Sequence, residues 1–217
     1  MSTPSASRIT LRTAWLAVFV TMAMVPLVGS PYMHDDIPNR NWATLSVPDT
    51  VAEAWRLNQD WMTTQGRFFP GGFLFTVPVF SIFDTRVAYM TWLVVLNLAL
   101  FALVAYVLYR LTRSPFITAT STLVLGACMQ ARFGVLDGVQ AFAGLVQFTI
   151  ILTVLSGLGA AYVLRTGRRV MVIPVVVAWS WAITAYEVSL FMLPAVILLL
   201  WVACGFRDRA RSAWALG

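Results

Sequence analysis

The sequence predicts an all-α protein, a polytopic bundle of about six transmembrane helices, and three observations point to that fold class. Hydrophobic residues make up 59% of the 217 positions, charged residues only 11%, and the mean hydropathy is +0.79. That composition is too apolar for a soluble domain, whose surface must face water. The apolar residues also fall into runs of about 20, the length of helix that crosses a bilayer core of about 30 Å. Finally, the 15 basic residues are all arginines and give a net charge of +6, an excess that usually records membrane orientation.

The apolar runs predict spans at residues 13–30, 86–109, 115–132, 138–164, 170–185 and 187–206. The last two form one long run that is interrupted only by Tyr186-Glu187. A single helix of that length would overshoot the membrane, so the chain is expected to turn at this pair. Another apolar segment, 68–83, holds two prolines and two glycines between Pro70 and Pro78. These residues break or kink helices, and we expect the segment to lie at the interface instead of crossing.

The arginines predict which loops face the cytoplasm, because arginine in short loops collects on that side of a membrane. With the N-terminus inside and 68–83 not crossing, most of the arginines are cytoplasmic: Arg8, Arg12, Arg110, Arg113, Arg165, Arg168, Arg169, Arg207, Arg209 and Arg211. The predicted organisation is a cytoplasmic N-terminus at 1–12, a transmembrane domain at 13–206 with a large outer loop at 31–85, and a cytoplasmic tail at 207–217. An outside N-terminus with 68–83 crossing satisfies the same rule, and this alternative stays open.

The acidic residues fall on the opposite face of the membrane in the preferred arrangement. All but Asp208 are placed outside, namely Asp35, Asp36, Asp49, Glu53, Asp60, Asp84, Asp137 and Glu187. Several of these carboxylates lie at the ends of spans. A cluster of carboxylates beside a membrane is by default a functional site, so we expect the site on the outer face.

The outer loop contains a segment, 47–62, whose sequence VPDTVAEAWRLNQDWM predicts a short amphipathic helix along the membrane surface. Asp49 is expected to cap a helix that starts near Thr50. Three tryptophans of the outer loop, Trp42, Trp55 and Trp61, suit the headgroup level, where an indole buries its body and keeps its N–H in water. Whether this helix touches a substrate or only covers the bundle stays open.

Arg67 follows Gly66 and precedes the apolar segment 68–83, so its guanidinium is expected to emerge at the membrane interface. There it either donates to phosphate oxygens as a fork of N–H groups or snorkels to the headgroups without a specific ligand. The sequence alone leaves both interpretations open.

The adjacent aspartates Asp35 and Asp36 need their own explanation, because neighbouring carboxylates repel unless a cation or a basic group compensates. Oxygen ligands of this kind suit Mg²⁺ or Mn²⁺. Alternatively, one carboxylate is a general base and its neighbour a structural hydrogen-bond acceptor, which needs no metal. A third interpretation is a solvated pair in a turn.

Four short motifs occur in a fixed order and share the outer face: Asp35-Asp36, Gly66-Arg67, Asp137 within RFGVLDGVQAF, and Tyr186-Glu187. This arrangement resembles the GT-C membrane glycosyltransferases, and most closely the GtrII-like branch that modifies bacterial surface polysaccharides. The resemblance covers residues 13 to about 206. Members of that family usually have more spans and often a C-terminal extramembrane domain. We therefore expect the chain to be a portion of a longer protein, a truncated product or a minimal relative.

The resemblance implies sugar transfer from a polyprenyl-phosphate donor to a cell-envelope glycan or lipid acceptor, on the outer face of a bacterial-type inner membrane. Asp35 or Asp36 would deprotonate the acceptor hydroxyl for an inverting attack on the anomeric carbon. The remaining implied residues are substrate-binding Arg67, Arg132, Tyr186 and Glu187, and, for a divalent Mg²⁺ or Mn²⁺, Asp36 and Asp137.

Two other functions remain as alternatives. A lipid or solute transporter is less well matched, because the middles of the spans carry almost no ionisable groups and no internal repeat is visible. A non-catalytic or truncated subunit, working with a partner membrane subunit, is compatible with small-residue pairs such as Gly157 and Ala161. Nucleic acid is not an expected partner, since the arginine excess is accounted for by membrane orientation.

Overall fold

The computed structural model describes residues 24, 28–29, 32, 36–130, 142–186, 188–194, 196–197 and 200. These residues are predominantly helical and contain no strand, so the predicted all-α class is confirmed. The α-helices are α1 Asp36–Asn39, α2 Val47–Gln65, α3 Pro70–Ile82, α4 Arg86–Thr112, α5 Pro115–Gln130, α6 Leu145–Thr166, α7 Val172–Ala185 and α8 Val188–Phe191. Short 3₁₀ helices cover Arg40–Thr44, Phe142–Gly144 and Arg169–Met171.

Two of the described helices are long and apolar enough to cross a membrane. They are α4, with 27 residues, and Leu145–Leu164, a stretch of 20 residues within α6. The first matches the predicted span 86–109, and the second lies within the predicted span 138–164 but begins at Leu145, so the predicted start at 138 is wrong. Helix α6 begins at Leu145 because Ala143 and Gly144, just before it, have positive φ angles of 54° and 78° that no α-helix contains.

Shorter apolar helices occupy two further predicted spans. Within the described residues, α5 has 16 residues and α7 has 14. Helix α7 ends at Ala185, Tyr186 is extended, and α8 starts at Val188, so the predicted interruption at this point is confirmed. Most of the predicted span 13–30 and half of the predicted span 187–206 lie outside the described residues.

Segment 68–83 forms a helix in spite of its prolines and glycines. Helix α3 has 13 residues, about 20 Å in length, which is short of the 30 Å of a bilayer core. Pro70 is its first residue, where a backbone N–H has no partner inside the helix, and Pro78 lies within it. Helix α7, a predicted span, is only one residue longer, so whether segment 68–83 crosses the membrane stays a prediction.

The predicted start of α2 is wrong. The helix begins at Val47 rather than near Thr50, so Asp49 lies in the first turn and is not the cap. Pro48 is tolerated there because the first turn of a helix leaves its N–H groups unpaired. The Asp49 carboxylate still lies at the positive end of the helix dipole, where a negative charge is favourable.

The chain divides into two compact units, each with its own core. The first consists of Met1–Val47 and Pro78–Gly144, and the second of Pro48–Val77 and Leu145–Gly217. In the first unit the largest fully buried side chains include Phe80, Tyr89, Met90, Leu93, Asn97 and Leu100. In the second unit the ring of Phe75 on α3 stacks on Phe148 of α6 at 4.2 Å between centroids. Gly159 of α6 faces Val175 of α7, so the two helices approach closely.

Helix α4 has a cap that can be improved. Arg113 follows its last residue with a left-handed φ of 54°, and its N–H donates to the Tyr109 carbonyl. That conformation costs an L-residue about 1–2 kcal/mol, and glycine adopts it freely. We expect Arg113→Gly to raise the free energy of unfolding by about 0.5–1 kcal/mol, measured by denaturant titration in micelles.

The matched control for the cap is Arg110→Gly, which removes an arginine from inside the same helix. This variant should lower the free energy of unfolding by about 1 kcal/mol, because glycine disfavours a helix interior. Equal losses of stability in both variants would contradict the left-handed cap.

Candidate functional site

In the first unit, one member of the predicted aspartate pair is completely buried. Asp36 is the first residue of the short helix α1 and has 0% of its surface exposed. The Tyr89 hydroxyl, from the first turns of α4, donates a hydrogen bond to Asp36 Oδ2. Burying a carboxylate is costly unless hydrogen bonds compensate, so the tyrosine hydroxyl is part of what stabilises this carboxylate inside the protein.

The ring of Tyr89 belongs to an aromatic cluster that also contains Tyr32, Trp42 and Phe80. This ring stacks on Phe80 at 4.7 Å between centroids and lies tilted against Tyr32 at 5.3 Å. The Trp42 ring meets Phe80 edge-on at 5.9 Å. Burial raises the pKa of the Tyr32 phenol above its ordinary value, so this hydroxyl stays protonated at neutral pH. The packing fixes the tyrosine that holds Asp36.

In the second unit, the segment that carries Arg67 folds back onto helix α2. Gly66 makes the turn with a left-handed φ of 66°, and the Arg67 N–H donates to the Trp61 carbonyl at 3.3 Å. The buried Asn58 side chain then accepts the N–H of Phe69 at 2.9 Å. A glycine and an uncharged amide therefore determine where the Arg67 segment lies.

The Arg67 guanidinium lies against two aromatic rings and is exposed to solvent. Its Cζ is 5.6 Å from the centroid of the Trp61 ring and 5.7 Å from that of Phe69. The two rings stack on each other at 5.9 Å. Cation–π contacts at exposed sites contribute about 0.5–1 kcal/mol, enough to favour one orientation of a flexible side chain.

Tyr186 belongs to the same aromatic cluster as Arg67. Its ring meets Phe69 edge-on at 5.7 Å, and Phe73 also packs edge-on against Phe69 at 5.9 Å. Arg67 and Tyr186, two predicted substrate-binding residues from distant parts of the sequence, therefore contact one ring. The structure brings these two together.

Sequence reasoning did not identify the residues that hold these side chains. Tyr89 is 53 positions from Asp36 and lies at the start of an apolar helix, where a tyrosine resembles an ordinary interfacial residue. Phe69 and Phe73 belong to a segment that composition marks only as apolar. A lone polar hydroxyl at the start of a span is the one signal that could have suggested Tyr89.

The other predicted site residues lie outside the described residues: Asp35, Arg132, Asp137 and Glu187. In the part of the chain that the structure describes, no three or more histidine, cysteine, aspartate or glutamate side chains converge as a metal site. Asp36 is the only described member of the predicted Mg²⁺ or Mn²⁺ ligand pair, and its Oδ2 accepts from a phenol. The divalent cation therefore stays a prediction.

Comparisons with known proteins return nothing that bears on the site. No protein-family model, curated protein or solved structure matches the chain.

Proposed function

We propose that this chain is a membrane glycosyltransferase of the GT-C kind. It would transfer a sugar from a polyprenyl-phosphate donor to an envelope glycan or lipid acceptor on the outer face of the membrane. The observation that carries the proposal is the buried Asp36 carboxylate, hydrogen-bonded by Tyr89 and adjacent in sequence to Asp35. Because burying a carboxylate is costly, we expect a protein to keep one where it has a function. Ionisable groups beside a membrane usually mark a functional site.

The proposed reaction is an inverting displacement at the anomeric carbon. Asp35 accepts the proton of the acceptor hydroxyl while that oxygen forms the new bond to the anomeric carbon. The bond from the anomeric carbon to the phosphate oxygen breaks, and its electron pair leaves with the polyprenyl phosphate. The total charge is conserved, because the proton moves to the carboxylate as the phosphate gains a negative charge.

Asp36 is assigned a positioning role in this proposal. A fully buried carboxylate whose Oδ2 accepts from Tyr89 is poorly placed to meet a bulky acceptor. It is well suited to fixing the start of α1 and thus the backbone that leads to Asp35. This division matches the hypothesis of one base and one structural acceptor.

Arg67 is assigned to the phosphate of the donor. Its exposed guanidinium is oriented by Trp61 and Phe69 and presents N–H groups in the planar fork that phosphate oxygens accept. Stabilising the negative charge that develops on the leaving phosphate is the largest contribution a fixed cation can make. Tyr186, whose ring packs against Phe69 as Arg67 does, is assigned to binding the sugar. Arg132 and Glu187 keep their predicted substrate-binding roles.

The proposal also includes a multi-pass bundle of six spans with both termini in the cytoplasm. The two helices long and apolar enough to cross a bilayer support a membrane location. A donor whose sugar is attached to a prenyl chain is available within the bilayer, which suits a protein of this composition.

The test is sugar transfer by the full chain in proteoliposomes supplied with a set of radiolabelled polyprenyl-phosphate sugars. Because a general base contributes about 10²–10⁴-fold to a rate, Asp35→Asn should lower transfer at least about 100-fold. Arg67→Gln should lower it about 10-fold or more through lost charge stabilisation. The matched control is Arg56→Gln, which removes another exposed arginine of the second unit and should leave transfer unchanged.

Two results would contradict the proposal. One is unchanged transfer in an Asp35→Asn protein that reaches the membrane in normal amount. The other is a wild-type chain that transfers no sugar from any donor in the set, which would favour the non-catalytic subunit.

A further inference from the structure

Helix α2 carries three different stripes along its length. One is buried and contains Thr50, Ala54 and Asn58. A second is charged and contains Asp49, Glu53, Arg56 and Asp60, with Arg56 Nε bonded to Glu53 Oε2 at 2.7 Å. The third is apolar but exposed, and we name it the apolar stripe: Val47, Val51, Trp55 and Met62. Its side chains range from 49% exposed for Met62 to 79% for Val47.

The geometry of the helix sets the directions of these stripes. At 3.6 residues per turn, the apolar stripe occupies an arc of about 80° that overlaps the buried stripe at Asn58 and lies roughly opposite the charged one. The helix therefore has an exposed apolar side and an exposed charged side, in addition to the buried side that packs against its own unit. Along the axis the stripe extends about 22 Å, from Val47 to Met62.

The occupant that fits this stripe is a lipid surface. The same unit contains α6, which is long and apolar enough to cross a bilayer. If α6 crosses a membrane, helix α2 of the same unit lies close enough to contact that membrane. Trp55 lies within the stripe, and indoles favour the boundary between headgroups and acyl chains. Phe68, just beyond the helix, is also exposed.

A second protein surface fits less well. The exposed area of the four side chains is roughly 400 Å², about half of the 800 Å² that each partner buries in a stable protein interface. A bilayer needs no such minimum, because an amphipathic helix binds it in proportion to the apolar area inserted.

We infer that α2 lies along the membrane surface with Val47, Val51, Trp55 and Met62 inserted among the lipids and Glu53 and Arg56 facing water. This orientation also sets the depth of Arg67, which follows the helix by two residues. The inserted stripe would hold the guanidinium at the level of the lipid phosphates. The lipid contact is independent of the proposed sugar transfer and would hold for a protein with a different activity.

The experiment measures which side of α2 meets lipid. In the full chain carrying Cys128→Ala and Cys204→Ala, single cysteines replace Val51, Trp55 or Met62, with Arg56→Cys and Asp60→Cys as matched controls on the charged stripe. Each protein is spin-labelled and reconstituted in phosphatidylcholine vesicles. The ratio of collision with oxygen to collision with a water-soluble nickel chelate should be about tenfold higher at 51, 55 and 62 than at 56 and 60.

Each alternative outcome overturns the inference. Free access of the nickel chelate to position 55 would mean that the stripe faces water. Exclusion of both oxygen and nickel there would mean that a second copy or another protein covers it.

Should the cysteine-free chain not insert, a photo-crosslinking amino acid at 55 or 56 of the natural chain gives a second measurement. It should capture phosphatidylcholine at 55 and not at 56, and equal capture at both positions overturns the inference. No sugar donor enters either experiment, so a failure here is distinct from a failure of the proposed function.

Discussion

Gly71→Ala is expected to lower the free energy of unfolding by about 2–3 kcal/mol, because there is no room for a methyl group where α3 meets α7. A Cβ at this position would lie 2.7 Å from Thr184 Oγ1 and 2.8 Å from the backbone nitrogen of Ala185. Backbone atoms cannot rotate away as a flexible side chain can. The shift would also strain the hydrogen bond from Trp181 Nε1 to the Gly71 carbonyl, now 3.3 Å.

The measurement is equilibrium unfolding in mixed micelles, and the matched control is Gly126→Ala. The nearest atom to a Cβ at Gly126 is Phe101 Cζ at 3.7 Å, an ordinary contact. Since alanine is the better helix former, this control should raise the free energy of unfolding by about 0.5–1 kcal/mol. Wild-type stability of the Gly71→Ala protein would contradict the close approach of the two helices.

Tyr89→Phe is expected to lower the free energy of unfolding by about 2 kcal/mol, the cost of removing a hydrogen bond from a buried charged acceptor. The ring and its packing on Phe80 are kept, so the variant isolates the hydroxyl that donates to Asp36. The same change should lower sugar transfer, because the proposed role of Asp36 depends on its position. Unfolding in micelles measures the first effect and the proteoliposome assay the second.

The control on the same helix is Tyr109→Phe, whose side chain is exposed and should change stability by less than about 0.5 kcal/mol. A double-mutant cycle with Asp36→Asn tests the contact itself. If the two side chains interact, the combined loss should differ from the sum of the single losses by about 1 kcal/mol or more. Strictly additive losses would mean that Tyr89 does not bind Asp36 in the folded protein.

The apolar runs predicted the helices well because a backbone removed from water must hydrogen-bond to itself, and within one short segment a helix is the structure that achieves this. Helix α4 and the break at Tyr186 follow from the lengths of the apolar runs, whereas the start of α6 does not, because run length carries no signal for the positive φ angles at Ala143 and Gly144. The start of α2 was misplaced because Asp49 is an attractive cap in sequence, whereas Pro48 is equally acceptable inside a first turn. Local preferences do not choose between two such starts.

The contacts of the candidate site were beyond sequence reasoning for a different reason. Whether Trp61 faces the protein and Trp55 faces outward depends on the rotation of α2, which the packing of Asn58 and Trp61 on Phe69 decides. Both tryptophans suit a membrane interface equally well in the sequence. The bond between Tyr89 and Asp36 likewise joins distant segments, and no local pattern encodes it.

The ring of Phe69 lies in contact with both Arg67 and Tyr186. Its electronic environment therefore depends on the position of a cation and of a neighbouring ring at once. A single fluorine substituted on that ring would report by its NMR shift when an anion draws the guanidinium away, without any assay for a product. Candidate ligands of this protein could be screened by the shift of one resonance without knowledge of any reaction.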